Sequence, residues 1–423
     1  MSSILEKVFS QRYVRLLLLI AAVIGCLWLI KLSASYGISR LLSRSALTLQ
    51  NLTVAQGATS MTPADPQAHR ANAALLSQFD QPAESIVAVE QAIALRPHDY
   101  SLWLALGLLR DRMGDSKGAL AALDKAVERA PFYAHPRWQR GNVLLRARQY
   151  EAAFADLNLA ANSNPELIPN LIDLAWGVTR GDPQLTEQLL DIKTDKARLT
   201  FARFLAARGR AVESMRQLNA AGKVDENQRR ELIGQLLEKR AFAEAYYVWS
   251  GTDPSSNAAN SAGIHDGGFE ASLSTNESGF GWRIANTRSV GLSIDPNEPH
   301  SGARSLRMDF VGESPPPAVL SQLVMVNPST RYRIHFAGRS REVVTGARPL
   351  VSVTDAGENG PELAKSAPLD KGTSGWRPFS IEFNTGAATN AVTVAVTREV
   401  CPSTPCPIFG SIGLDSFSLE KVK

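Results

Sequence analysis

The chain has 423 residues and a formal net charge of +4. This length is too great for one ordinary hydrophobic core and predicts two or three domains. Acidic and basic residues are interspersed along most of the chain, which excludes the basic stripe of a nucleic-acid-binding protein, so we expect no nucleic-acid partner.

An uncharged apolar run at residues 16–30 follows a segment that contains Lys7, Arg12 and Arg15. With its apolar flanks, the run approaches the roughly 20 residues that a transmembrane helix needs. The basic residues before it favour a cytoplasmic N-terminus and an exported remainder. The sequence therefore predicts a cytoplasmic tip and a single membrane anchor over residues 1–32.

Two other interpretations of the apolar run stay open, and both also export the rest of the chain. A signal peptide could be cut after Ala34, although Leu32 is large where a small residue is usual. Residues 23–26, Val-Ile-Gly-Cys, resemble a bacterial lipoprotein box, in which Cys26 would become the acylated first residue. The apolar run continues past Cys26, where such proteins usually become polar.

A proline recurs every 34 residues after a predicted stalk at residues 33–65. Apolar residues from Pro66 onward are spaced by three and four, which is typical of amphipathic helices. Small and apolar residues recur in step with the prolines. The recurring positions are Pro97, Pro131 and Pro165; Ala92, Ala126 and Ala160; Gly107 and Gly141; Ala119 and Ala153; and Leu123 and Leu157.

The middle copy resembles the tetratricopeptide repeat, through Trp103, Leu106, Gly107, Ala119, Leu123, Ala126 and Pro131. The resemblance implies helical hairpins that stack into an α-solenoid and recognise protein partners. Three units are predicted at 66–99, 100–133 and 134–167. Helical spacing continues beyond them, so we predict a helical-repeat domain over 66–250.

Four residues are candidates for binding a protein partner. Trp138, Asn142 and Arg146 fall on one helical stripe at i, i+4 and i+8, and Arg112 takes the corresponding place in the preceding unit. Arginine grips a carboxylate with forked donors and tryptophan supplies apolar area. The alternative is packing between repeats for Trp138 and solvated charge for the arginines.

The small polar residues at 251–263 predict a flexible linker. Beyond it the apolar residues alternate with polar ones, a pattern typical of strands with one solvated face. We therefore predict an antiparallel β-sandwich over 264–423. The alternating apolar residues are Leu306, Met308 and Phe310; Tyr332, Ile334 and Phe336; Phe379, Ile381 and Phe383; Val392, Val394 and Val396; and Phe417 and Leu419.

The segment 264–423 resembles the jelly-roll carbohydrate-binding modules of bacterial glycoside hydrolases. The matching elements include Gly268-Phe269-Glu270, Gly281-Trp282, His300-Ser301-Gly302, Phe336-Ala337-Gly338-Arg339 and the closing residues from Leu414 to Leu419. The resemblance implies glycan contact, with Trp282 and Trp376 as candidates to stack on sugars. The alternative for both rings is packing. The resemblance also suggests a periplasmic protein of the bacterial inner membrane.

Two further pairs of residues bear on the sandwich. Glu270 and Asp415, near the first and last strands, suit a structural calcium ion, with two solvated carboxylates as the alternative. No other cofactor is expected. Cys401 and Cys406 are close enough to form a disulfide in an exported protein.

The sequence contains no catalytic motif of the common hydrolase, kinase or metalloprotease types, and no enzyme is predicted. Two carboxylates among Asp309, Asp355 and Glu382 could in principle hydrolyse glycosides. The leading hypothesis is a membrane-tethered adaptor in cell-surface or exopolysaccharide assembly. The alternatives are an envelope protein-assembly factor whose sandwich binds no sugar, and a glycan-active enzyme.

Overall fold

The computed structural model describes residues 2–222, 224–251, 263–274, 277–357, 360–401 and 405–422, with side chains from Val14 onward. The chain divides into two compact units, Met1–Asp191 and Ile192–Lys423. This division falls within the predicted repeat domain. Most of the predicted linker, residues 252–262, lies outside the described residues.

The first unit begins with one long helix, α1, at Ser2–Leu49. The segment Val14–Leu49 of α1 is long and apolar enough to cross a membrane. Its most apolar 18-residue window has a mean hydropathy of 2.5, and 0% of that window is buried inside the protein. No proline occurs between residues 2 and 49, so no position lacks the backbone donor that a helix requires. The predicted anchor and the first part of the predicted stalk therefore form one continuous helix.

The rest of the first unit is helical as well. Its helices are α2 Leu52–Met61, α3 Pro66–Gln78, α4 Pro82–Leu95, α5 Tyr100–Arg112, α6 Ser116–Arg129, α7 Ala134–Arg146, α8 Tyr150–Ser163, α9 Ile168–Val178 and α10 Pro183–Leu190, with a short 3-10 helix at Pro165–Leu167. Aspartates cap four of them. The Asp65, Asp99, Asp115 and Asp182 carboxylates accept backbone N–H groups in the first turns of α3, α5, α6 and α10.

The three predicted repeats are confirmed as the hairpins α3/α4, α5/α6 and α7/α8. The recurring glycines of α5 and α7 lie against the second helix of the same hairpin. A Cβ atom on Gly107 would lie 2.6 Å from Leu123 Cγ, and one on Gly141 would lie 2.7 Å from Leu157 Cγ. The 34-residue period thus reflects one packing contact repeated in successive hairpins.

The second unit joins four helices to a β-sandwich. The helices are α11 Asp195–Ala207, α12 Ala211–Ala220, α13 Glu226–Glu238 and α14 Phe242–Ser250. Leu232, Leu236 and Val248 of these helices belong to one buried cluster with Phe280 and Leu323 of the sandwich. The last helices of the predicted repeat domain therefore share a core with the sandwich.

The sandwich consists of two five-stranded antiparallel sheets, which confirms the predicted sandwich class. The strands are β1 Arg283–Ile284, β2 Val290–Asp295, β3 Ser305–Val311, β4 Leu320–Met325, β5 Arg331–Thr345, β6 Pro349–Asp355, β7 Glu362–Lys365, β8 Gly372–Asn384, β9 Ala391–Arg398 and β10 Ile408–Lys421. The strand orders are β1-β4-β9-β6-β7 and β2-β3-β10-β5-β8.

The alternating apolar residues fill the space between the sheets. Phe336 stacks on Phe379 and on Phe417, with ring centroids 5.0 and 4.9 Å apart. Tyr332 is 1% exposed, and its hydroxyl accepts the Asn327 backbone N–H at 2.9 Å. The opposite faces of these strands carry the charged residues, as the alternation predicted.

Candidate binding surfaces

The arginines of the predicted partner site lie at the C-terminal ends of α5 and α7. Arg112 donates to the Ser77 carbonyl at 3.3 Å and pairs with Asp80 at 3.3 Å. Arg146 pairs with Asp111 at 2.5 Å. The arginine side chains are 56% and 59% exposed. Each arginine therefore links its helix to the preceding repeat, and a partner carboxylate would have to exchange with an existing acid.

The other two residues of the stripe lie earlier on α7. The Asn142 amide donates to the Trp138 carbonyl at 2.8 Å, so one of its donors is used within its own helix. Trp138 and Asn142 are half-buried and the two arginine side chains are exposed, and partner binding by these four residues stays a prediction.

A buried ion cluster between the repeats was missed by the sequence analysis. The Asp156 side chain in α8 is 5% exposed and pairs with Arg137 at 3.2 Å and Arg140 at 2.5 Å. Arg140 also pairs with Asp124 of α6 at 2.8 Å. The hydrogen bond from Arg140 to Asp156 raises the pKa of this guanidinium. The sequence contained one signal of this cluster: Asp156 stands at the repeat position that Ala122 occupies in the preceding unit.

Trp282, a predicted sugar platform, lies in the core of the sandwich. It is 5% exposed, and its ring centroid lies 5.2 Å from those of Phe269 and Phe417. Its indole N–H donates to the Asp266 carbonyl at 3.0 Å. The structure thus places this ring where it cannot stack on a sugar, in agreement with the packing alternative.

Trp376 is half-buried and takes part in a charged cluster on the sandwich surface. The Arg339 guanidinium lies 4.8 Å from the ring centroid, and the indole N–H donates to the Glu298 carbonyl at 2.9 Å. Arg339 also pairs with Asp295 at 3.1 Å. The arginine occupies one ring face, so a sugar would have to approach the remaining exposed part of the indole.

The two carboxylates of the predicted calcium site hold one loop. Asp415 Oδ2 accepts the backbone N–H groups of His300 at 2.8 Å and Ser301 at 3.0 Å. Glu270 Oε1 accepts the N–H group of Ala303 at 2.8 Å. Among the described residues, no group of three or more His, Cys, Asp or Glu side chains could hold a metal. Both carboxylates accept backbone amide donors from this loop, and a calcium ion held by them stays a prediction.

The structure joins Cys401 to Cys406 by a disulfide. Arg398 of β9 donates to the Cys406 carbonyl at 2.9 Å, which ties the loop to the sheet. Cys26 is an exposed free cysteine on α1.

The three carboxylates considered for glycoside hydrolysis have local partners. Asp309 accepts forked hydrogen bonds from Arg307 at 2.7–3.0 Å. Glu382 pairs with Arg333 and Arg331, and these contacts lower its pKa. Asp355 accepts the Gly357 backbone N–H at 2.7 Å and a hydrogen bond from Thr389.

Comparisons with known proteins identify the repeat. Residues 100–133 match the tetratricopeptide repeat family. No curated protein sequence matches the chain. Among solved structures, MamA from residue 41 to its end, from Desulfovibrio magneticus RS-1, is 18% identical, with a TM-score of 0.33, over 37% of this chain and 90% of that chain. The pilF protein of Pseudomonas aeruginosa is 14% identical, with a TM-score of 0.30, over 52% and 90%. These similarities carry no argument about function.

Proposed function

We propose that this protein is an exported, membrane-anchored scaffold whose helical repeats bind a protein partner. The observation that carries the proposal is the series of hairpins α3–α8, one of which matches the tetratricopeptide repeat. Stacked hairpins present an extended surface suited to recognition of another protein. The proposed contact surface is the stripe of Arg112, Trp138, Asn142 and Arg146.

The proposed topology places the N-terminus in the cytoplasm and the repeats and sandwich in the periplasm. It rests on the apolar part of α1 and on the basic residues before it. A reporter fused after Lys423 should be active outside the cytoplasm, and the chain should stay with membranes after salt washing. Recovery in the soluble cytosol would refute export, whereas lipid labelling lost in Cys26→Ser would favour a lipoprotein.

Partner binding is tested with the double variant Arg112→Ala/Arg146→Ala. Both side chains are more than half exposed, so the change should affect stability by less than about 1 kcal/mol. We expect weaker capture of a membrane-extract partner with an unchanged melting temperature. Lys117→Ala/Lys125→Ala is the matched control, because it removes two positive charges from α6. Equal loss in both variants, or none in either, would refute this surface.

Trp138→Ala separates the two interpretations of the indole. A packing role predicts a stability loss of about 3 kcal/mol, as for large truncations in a core. A binding role predicts lost capture by a chain that melts normally. The denaturation midpoint and the capture assay together distinguish these roles.

Glycan contact by the sandwich, with a role in cell-surface or exopolysaccharide assembly, is the second candidate. It depends on Trp376, which keeps part of its ring exposed beside Arg339 and Glu298. A glycan array probed with the full-length chain in neutral detergent tests it, and Trp376→Ala should abolish any signal. If no glycan on the array binds the chain, the proposed scaffold has no sugar ligand. No catalytic role is part of the proposal.

A further inference from the structure

A cleft of about 600 Å³ lies in the first unit and has four arginines in its lining. Arg40 and Arg44 come from α1, Arg70 comes from α3, and Arg96 follows the end of α4. The volume is within the range of roughly 300–1,000 Å³ that is usual for ligand sites. No acidic residue is among those that line the cleft. Its composition suits a compact anion.

The guanidinium groups in this cleft are weakly neutralised by the protein. Arg40 Nε lies 3.5 Å from Asp65 Oδ2, and the Asp65 side chain is 1% exposed. Arg44, Arg70 and Arg96 are exposed, and the described structure gives them no carboxylate within ion-pair distance. By contrast, Arg112 and Arg146 each have an acid from the preceding repeat. The cleft therefore holds positive charge available to a ligand.

The surrounding sequence strengthens this charge. Residues 31–79 contain the four basic residues Lys31, Arg40, Arg44 and Arg70 but one acid, Asp65, which is buried. Residues 31–79, which supply three of the four cleft arginines, therefore carry a net positive charge. Such a charge attracts anions from beyond contact distance.

The continuity of α1 places the cleft near the surface of the proposed membrane. Arg40 is eight residues beyond Leu32, which corresponds to about 12 Å along a helix. The headgroup layer on each side of a bilayer is roughly 5–7 Å thick, and a helix tilt of about 20° is usual. Side chains on a helix point towards its N-terminus, so the Arg40 and Arg44 side chains lean towards the membrane.

We propose that this cleft binds the phosphate headgroup of an anionic phospholipid. Arginine recognises phosphate oxygens with forked charge-assisted hydrogen bonds, and Gln67 in the same lining offers an amide donor. The bound headgroup would fix the repeats against the membrane surface. The inference rests on the membrane anchoring in the proposed function, but it does not depend on the partner surface or on glycan contact.

The test is displacement of a fluorescent phosphatidylglycerol from the full-length chain in neutral detergent. Arg44→Gln/Arg70→Gln should weaken binding by at least about tenfold, since a hydrogen bond to a charged group contributes about tenfold or more. The control Arg148→Gln/Arg180→Gln removes the same charge from two exposed arginines outside the cleft and should bind normally. Arg44→Lys/Arg70→Lys should bind with an affinity between those of the glutamine variant and the unmodified chain, because lysine keeps the charge but not the forked donors. Rising salt should weaken binding of the unmodified chain.

Several results would overturn the proposal. Phosphatidylcholine displacing the probe as well as phosphatidylglycerol would show that the negative charge is not recognised. Inorganic phosphate displacing it at equal concentration would identify a free anion as the ligand. An acidic peptide that competes better than the lipid would assign the cleft to a protein partner. The lipid-displacement assay is done in detergent and needs neither a membrane nor a protein partner. It can therefore fail while the reporter and capture experiments succeed, or succeed while they fail.

Discussion

Both compact units contain helical hairpins with the same internal hydrogen bond, but different elements pack against the hairpins in each unit. In α3/α4 the Ser85 hydroxyl donates to the Ala73 carbonyl at 2.7 Å, and in α11/α12 the Ser214 hydroxyl donates to the Ala202 carbonyl at 2.8 Å. Both pairs are 12 residues apart. The first hairpin is followed by further hairpins, whereas the helices after the second share a cluster with strands.

The difference shows how a helical repeat can end. A terminal repeat exposes an apolar face that the next unit would have covered, and solenoids normally end in a polar cap. In the second unit this face, with Leu232 and Leu236, packs instead with Phe280 and Leu323 of the sandwich. The sandwich therefore serves as the cap for α11–α14, and the two parts should unfold together.

Leu236→Ala tests this shared core and should have the largest effect. Leu236 is 0% exposed in the cluster that joins the helices and the sandwich. Its truncation should destabilise the second unit by about 3 kcal/mol and speed hydrogen exchange in β4 and β9 as well as in α13. Leu123→Ala in the first unit is the matched control; its cluster includes residues of α5, α6 and α7, so exchange should become faster in these helices and stay unchanged in β4 and β9. Full protection of β4 and β9 in Leu236→Ala would show that the sandwich folds independently.

Asp156→Asn tests the ion cluster of the first unit and should rank second. The substitution leaves Arg137 without an acid and Arg140 with Asp124 alone, and the two arginine side chains are 19% and 22% exposed. We expect a loss of about 2 kcal/mol, less than for a fully buried pair because both arginines reach solvent. The control is Asp124→Asn, since the Asp124 side chain is 61% exposed. Equal urea midpoints for the two variants would contradict a structural role for the cluster.

The sequence predicts those parts of the fold that depend on local contacts. Gly107 meets Leu123 within one hairpin, so the recurrence of this pair as Gly141 and Leu157 revealed α5–α8, and the recurring alanine and proline extended the repeat to α3/α4. Alternation likewise revealed the strands, because each buried side chain follows the pleat of its own strand. Both signals arise from neighbours along the chain.

The rest could not be predicted, because periodicity identifies an apolar face but not what covers it. Nothing near Leu236 in the sequence indicates that Leu323 is its neighbour. The arginine cleft could not be predicted for the same reason, because Arg44 and Arg70 line it together only when α1 lies beside α3. For Trp282, the family resemblance left packing and sugar stacking both open, and its burial in the sandwich favours packing.

Gly107→Ala measures how closely the hairpins of the first unit pack. The new methyl group would lie 2.6 Å from Leu123 Cγ, so the helices must separate or Leu123 must change rotamer. We expect a net loss of about 1 kcal/mol, because overpacking outweighs the gain in helix propensity. Gly177→Ala in α9, where nothing lies within 4 Å, should instead be neutral or stabilising. A stabilised Gly107→Ala variant in thermal melting would refute the packing explanation of the repeated glycine.

The smallest effects should come from surface carboxylates, which both units pair with bases in the same way. Arg333 and then Arg331 lower the pKa of Glu382 in the sandwich, and Lys125 lowers the pKa of Glu128 in α6, each from an ordinary value of 4.5. A carboxyl with a lowered folded pKa stabilises the protein above its unfolded pKa and loses this contribution as the pH falls through the folded pKa. Both pairs should therefore weaken below about pH 4.5.

Arg333→Ala should raise the pKa of Glu382 more than Arg331→Ala does, and Lys125→Ala should raise the pKa of Glu128, as measured by carboxyl NMR titration. Since these groups are exposed, the melting temperature at neutral pH should barely change. An unchanged titration of Glu382 in Arg333→Ala would show that the pair does not persist in solution, and an unchanged Glu128 in Lys125→Ala would show the same for the first unit.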